Sequence, residues 1–506
     1  MTSSTALKWF ARHELRLAWR EFAAMIGGRL RARPRSTAIW LIGFAAIMHL
    51  VAYAVIGRFA ALEQPDKPAL IVITACVLLT SALMLSQSIE SVTRVFYARA
   101  DLDLIMSSPV SAAEVFSVRI AALTLGVVAM ALLLAMPFVN VLVLGGGVRW
   151  LAIYGVVIAC GLGATAGGVA ITIALFRLIG AARTRLAAQV VAAVIGAGFV
   201  IALQIAAVLS QDSLSRFAVL TSETGVAFAP GLDSPLWWPA RAALGDGEAL
   251  LCLLAAGLAM LGGTMAFCSP RFADHAIRIS ATAAAGGGSH ARPFRQATRR
   301  QALRRKEFAL LRRDPWLVSQ TLMQLLYLVP PALMLWRSFS ENSTSLSMVT
   351  PVLVMAAGQL AGGLAWLTIS GEDAADLVAT APLPEAGIIS AKIHVVMICI
   401  AGLFAPLLLA LALVSPLQAA ITALGIAVAA ASATAIQLWF RVQARRSQFR
   451  RRQTSSRLAT FAEAFSSIGW SATAALALGW PSVALVTALI TCGVLVTAWK
   501  VSPRRG

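Results

Sequence analysis

Charge is the scarcest commodity in this sequence. Only 13% of its 506 residues are charged, against about 25% in a soluble domain. That shortage, with 59% hydrophobic residues and a mean hydropathy of +0.80, excludes a large soluble protein. Acid is scarcer than base: 22 Asp and Glu stand against 42 Lys and Arg. The six Cys have no paired spacing, so neither a disulfide framework nor a metal site is indicated. There is no GxxxxGK[ST] loop to cradle phosphates, no HExxH and no Gly-x-Ser-x-Gly elbow in a soluble context. The glycine clusters Gly145–Gly147 and Gly286–Gly288 lack the following Lys and read as turns. The expectation is therefore a chain that is not itself an enzyme and holds no cofactor. The first residues form a long basic stretch, not a short charged region before an apolar one, so no cleavable signal peptide is expected.

What is abundant is apolar runs near the roughly 20 residues that cross a bilayer. Hydropathy places about twelve spans. The first six lie near 37–57, 68–88, 117–138, 151–176, 187–209 and 249–268. The second six lie near 317–336, 349–370, 393–413, 417–440, 458–478 and 482–499. The expected fold is all-α and polytopic, with two pseudo-repeated six-helix halves. Residues 1–36 form a basic cytoplasmic arm and 37–268 the first half. Residues 269–316 form a basic linker, and 317–506 the second half with a short basic tail. Each half opens on a charged amphipathic segment, HELRLAWREF (His13 to Phe22) and RRKEFALLRRDPW (Arg304 to Trp316). Such elbow helices lie in the membrane interface, cations among the headgroups.

The +20 net charge is distributed asymmetrically. Most Lys and Arg fall in the N-terminal arm, the linker and the loop from Arg441 to Arg457. The longest outer loop, 210–248, holds Asp212, Glu223, Asp233, Asp246 and Glu248. The positive-inside rule then puts both termini in the cytoplasm. Anionic lipid is the natural counter-charge, and no aromatic–basic module calls for nucleic acid.

One polar pattern occurs twice between spans. DLDLIMSSPVSAAEVFSVRI (Asp101 to Ile120) recurs about 273 residues on as AADLVATAPLPEAGIISAKI (Ala374 to Ile393). Asp103 falls on Asp376, Leu104 on Leu377, Pro109 on Pro382 and Arg119 on Lys392. The prolines break a helix, and Ser108 is expected to cap the one that follows, with Glu114 in its first turns. The first copy resembles the cytoplasmic coupling region of ABC-2 type export permeases, L-[DE]-x-x-[LM]-x-[ST]-P-[VL]-S. Leu102, Asp103, Met106, Ser108, Pro109, Val110 and Ser111 fit it. The second copy keeps Asp376, Pro382 and Leu383 but departs at Ala375, Ala381 and Pro384.

The resemblance implies a permease whose coupling elements, with Leu102, Asp103, Met106, Ser108, Pro109, Asp376, Leu377 and Pro382, seat on two separate ATPase subunits. Those partners would bind the ATP and Mg, one copy of this chain would serve each transporter, and transport would be export. Major facilitator-type secondary transporters share the twelve-span plan, but the loop between spans two and three lacks their Gly-rich signature.

Polar residues within spans mark a candidate substrate path: His49, Gln204, Gln359 and Glu463. Interhelical hydrogen bonding suits the glutamines too, and Glu463 is near enough to Arg457 for an interfacial pair. Trp237, Trp238 and Pro239 precede the sixth span as a candidate outer gate, the indoles suited to headgroup level. The run GLGATAGGVA (Gly161 to Ala170) predicts close helix packing.

The charge asymmetry fixes a topology. Cysteines at Ser222 and Ser234, in a chain stripped of native Cys, should react with a membrane-impermeant thiol reagent in intact cells. Those at Ser289, Ser447 and Ser455 should not, and labelling at 289 or 447 would reverse the assignment.

Overall fold

The computed structural model describes residues 8–17, 48–60 apart from 55, 66–97, 111–209, 229–271, 298–313, 346–370, 384–440 and 457–502 apart from 478. It also describes isolated positions, among them Ala45, Thr380 and Pro382. All regular structure among the described residues is helical. That follows from the solvent: a segment in lipid has no water to pair its backbone, and an α-helix pairs it internally. The chain divides into two compact units, Met1–His290 and Ala291–Gly506, parting inside the glycine-rich basic stretch.

The first unit comprises α1 (8–17), α2 (Lys67–Tyr97), α3 (Ala112–Gly146), α4 (Ala152–Ile179, entered by a 3-10 turn at Val148–Leu151) and α5 (Ala181–Leu209). The short α6 (Trp238–Ala243) and α7 (Gly247–Cys268) complete it. The second unit comprises α8 (Arg299–Arg313), α9 (Leu346–Ser370), α10 (Glu385–Val414), α11 (Pro416–Phe440), α12 (Arg457–Leu476) and α13 (Pro481–Val501). Eight helices among the described residues are long and apolar enough to cross a membrane. They match eight of the expected spans. Helices α5 and α12 occupy the fifth and eleventh, while most of 37–57 and nearly all of 317–336 lie outside the described residues.

Each unit is organised around one helix rich in small residues. In the first, α4 packs against α2, α3, α5 and α7. The GLGATAGGVA run lies in it, and its glycines are where the neighbours come closest. A methyl on Gly161 would stand 2.4 Å from Val128 of α3 and 2.8 Å from Met84 of α2. One on Gly168 would stand 2.9 Å from the Ser88 side chain and 3.1 Å from the Ile89 backbone nitrogen. In the second unit the hub is α9, packed on α8, α10, α11 and α12. Its Gly358 and Gly362 seat Ser467 and Glu463 of α12. Lipid is as apolar as leucine, so helix association rests on such close van der Waals fit.

Turns between spans are tight. Gly180 joins α4 to α5 with φ +76°, a left-handed conformation open to glycine at no steric cost. Threonines within spans satisfy their hydroxyls on the carbonyl four residues back, as Thr165 does on Gly161 and Thr172 on Gly168.

The packing at Gly168 gives a contrast. Gly168→Ala should destabilise the first unit by about 1–3 kcal/mol through overpacking against fixed backbone. Gly126→Ala on α3, where nothing lies within 4 Å, should be neutral or slightly stabilising. Thermal unfolding in detergent, read by loss of the monodisperse gel-filtration peak, compares the two.

Candidate coupling surface

Helix α3 begins within the first copy of the repeated pattern, and its start is firmly fixed. Ser111 is the N-cap: its hydroxyl accepts from the Glu114 amide at 3.3 Å, and the Glu114 carboxylate accepts from the Ser111 amide at 3.2 Å. This reciprocal capping box satisfies two backbone donors. It moves the cap from the expected Ser108, which lies outside the described residues, to Ser111. The Pro-Val-Ser order explains the shift, since a helix entered from Pro109 needs a further extended residue whose hydroxyl reaches three positions ahead. Ser269, just beyond α7, donates to the Ala113 carbonyl at 2.7 Å and lies 3.2 Å from the Ser117 hydroxyl. The first turns of α3 are thereby tied to the end of α7.

Two turns into α3, Arg119 is buried. Its guanidinium Nε lies 3.6 Å from the Glu14 carboxylate of α1. The second unit repeats the arrangement with different residues. Helix α10 starts at Glu385 behind Pro384, which provides no side-chain cap. Lys392, at the aligned position, is also buried, and its ammonium stands 3.1 Å from both oxygens of Glu307 on α8. The same ammonium donates to the Thr368 carbonyl near the end of α9. Glu307 is wholly buried, with Lys306 a second cation 3.7 Å away. Near the start of α8, Arg299 donates to the Pro382 carbonyl, the proline of the second copy. Thus α8 holds this region at two points, Pro382 ahead of α10 and Lys392 two turns into it.

The face of α8 explains how a helix so basic can dock. Glu307 and Leu311, one turn apart, point inward, and Leu311 joins the apolar core formed with α9, α10 and α11. Arg305 and Phe308 stay exposed. Glu307 is the one acid in this helix, so the inward face carries a single negative charge for a single inward-facing ammonium. A buried pair of this kind survives only when both partners and their remaining hydrogen bonds are present.

Of the residues expected to couple, Leu102, Asp103, Met106, Ser108, Pro109, Asp376 and Leu377 lie outside the described residues; Pro382 is described and exposed. Of the candidate path residues, His49 belongs to the first unit and Gln359 and Glu463 to the second. His49 is half-buried in the first unit. Its Nδ1 lies 2.7 Å from the Ala45 carbonyl and its Nε2 lies 3.2 Å from the Asn140 amide, whose oxygen accepts from Tyr154 at 3.0 Å. The geometry assigns the proton to Nδ1, leaving Nε2 to accept. The Gln204 side chain lies outside the described residues, and Gln359 is exposed on α9.

Glu463 faces inward; the side chain of Arg457, its expected partner, lies outside the described residues. The Glu463 carboxylate is buried and accepts from Gln437 of α11 at 2.5 Å, in a seat that a methyl on Gly362 would close. Trp237 is likewise interior, donating to the Gly231 carbonyl at 2.8 Å and packing with Leu70 and Ala240. Trp238 is exposed, and Pro239 is half-buried.

Residues that the sequence did not single out carry much of this wiring: Glu14, Glu307, Asn140, Tyr154, Gln418 and Gln437. Gln418 donates to Thr350, whose hydroxyl lies 2.9 Å from that of Thr422, so the α9–α11 contact also has a polar clasp. The one available signal was an acid set among the cations of each basic amphipathic segment, Glu14 in the first and Glu307 in the second.

The buried pair predicts asymmetric mutational costs. Glu307→Gln or Lys392→Met alone should cost about 3–5 kcal/mol by stranding a charge. The exchange Glu307→Lys with Lys392→Glu should recover part of it, as a double-mutant cycle on thermal unfolding would measure. None of the known protein families, characterised proteins or solved structures compared with the chain matches it.

Proposed function

We propose that this chain is the membrane permease subunit of an ATP-binding-cassette exporter of the ABC-2 type, in the bacterial inner membrane with both termini cytoplasmic. The observation that carries the reading is the paired wiring beside the repeated pattern. In each unit a basic amphipathic helix holds, through its Glu, a buried cation two turns into the span that follows. A segment so anchored can pass a push at the membrane surface into the spans as a rigid-body movement. On this reading α1 and α8 are elbow helices, and the units are pseudo-repeated six-helix halves, twelve spans in all. Each coupling element meets one of two ATPase subunits, which bring the ATP and Mg; one copy of this chain completes the transporter. The asymmetry of the wiring fits the departures of the second copy. The first copy has the matching motif and a capping box, whereas the second is held by Arg299 and a doubly bonded Lys392.

One observation favours a rival. Glu463 is a carboxyl buried in a span, the kind of group that ion-coupled transporters of the major facilitator type use.

The two readings separate experimentally. Purification from native membranes should bring down an ATPase carrying its own nucleotide-binding motifs. Asp103→Arg and Asp376→Arg should release it while leaving insertion intact, because reversed charge in a protein groove is costly. The Asp103 change should weigh more. Transport by vesicles holding this chain alone, driven by an ion gradient without nucleotide, would overturn the proposal in favour of the rival.

A further inference from the structure

A groove of about 480 Å³ lies in the first unit between the ends of α4 and α7. Its walls are apolar: Ala170, Ile173 and Ala174 on α4, with Gly263 and Phe267 on α7. The one hydroxyl in the wall, that of Thr264, is spent on the Met260 and Leu261 carbonyls at 2.8 and 2.9 Å. The body of the groove therefore offers nothing to a polar ligand. Gly262 and Gly263 have no neighbour within 4 Å of where a Cβ would stand, so the floor is open space, not a packed seam. Leu178 and Phe267, 80% and 54% exposed, flank the opening.

The mouth differs in chemistry. Arg177, in the last turn of α4, places its guanidinium 5.7 Å over the Phe267 ring. Arg183 and Arg185 follow across the Gly180 turn, both exposed. No acid occurs in α4 or α5, and the Glu of α7 stands at its opposite end. Among the described residues that line the groove, Arg177 is the one charged group. Depth agrees with a single leaflet: Ala170 to Arg177 spans about 10 Å of helix, against about 15 Å for half of a bilayer's hydrocarbon core.

We propose that this groove is a binding site for one anionic phospholipid, an acyl chain lying along Gly263 and the phosphate meeting Arg177. An apolar trough ending in a guanidinium at the span's end fits a lipid, which brings tail and charge in that order. The inference needs only that α4 and α7 cross a bilayer, and stands whether or not the chain works with ATPases.

The test uses the full chain, purified in mild detergent and exchanged into mixed vesicles of phosphatidylglycerol and phosphatidylcholine, then re-extracted. Lipid mass spectrometry should find phosphatidylglycerol retained over phosphatidylcholine by about fivefold, the factor expected for a basic side chain at an anionic surface. Arg177→Gln, an exposed site whose loss should not disturb folding, should abolish the preference while leaving some of each lipid bound. Gly263→Phe, which fills the trough, should lower retention of both. Equal retention by the unaltered chain would overturn the proposal, as would a preference unmoved by Arg177→Gln. Competition by soluble glycerol phosphate as effective as that by lipid would show a headgroup site without a tail site, and also overturn it. So would failure of Gly263→Cys, in a Cys-free chain, to react with a bilayer-soluble maleimide, since protein would then cover the groove.

Discussion

Burial of charge and backbone away from water is the constraint on which everything else in this protein depends. A backbone that enters lipid must pair its own amides, which leaves the helix as the element for each span. Once that is met, the hydrophobic effect no longer draws helix to helix, because the surroundings are as apolar as the side chains. Cohesion falls to close approach at small residues and to the few polar groups that find partners. Hence α4 and α9, where glycines admit their neighbours, are the hubs, and α7 and α13 turn long apolar side chains outward.

The same constraint places the charges. The charges buried among the described helices are held by specific partners: Glu463 by Gln437, Lys392 by Glu307 and the Thr368 carbonyl, Arg119 by Glu14. The last two lie where a span begins, beside the repeated polar pattern. A charge pair that must stay intact to stay buried makes a stiff joint, because partial separation strands both ions. That stiffness suits a joint between a surface helix and a span. In the second unit the Arg299 contact to Pro382 adds a grip beyond the proline break, so the short segment between is held at both ends.

Much of the fold was legible in the sequence, because hydropathy is local. The eight helices able to cross a membrane match eight of the expected spans, and the small-residue run at Gly161–Ala170 marked the first hub. Less legible was the exact start of α3: the Ser-Pro signal pointed to Ser108, whereas the reciprocal fit of Ser111 with Glu114 decides the cap. Nor could the sequence show the seat for Glu463, which is made by Gly362 on a helix some hundred residues earlier.

By itself the sequence determined that this chain is helical and membrane-spanning, that its charge is lopsided, and that one polar pattern occurs twice. These are properties of composition and spacing, which each segment carries wherever it goes. Only the tertiary structure decided which acid meets which cation, which glycine admits which side chain, and that Trp237 is interior while Trp238 is not. Partners such as Glu307 and Lys392 lie 85 residues apart, and nothing local to either names the other. Their meeting depends on how α8 lies across α9 and α10, and that is set by packing at residues far from both.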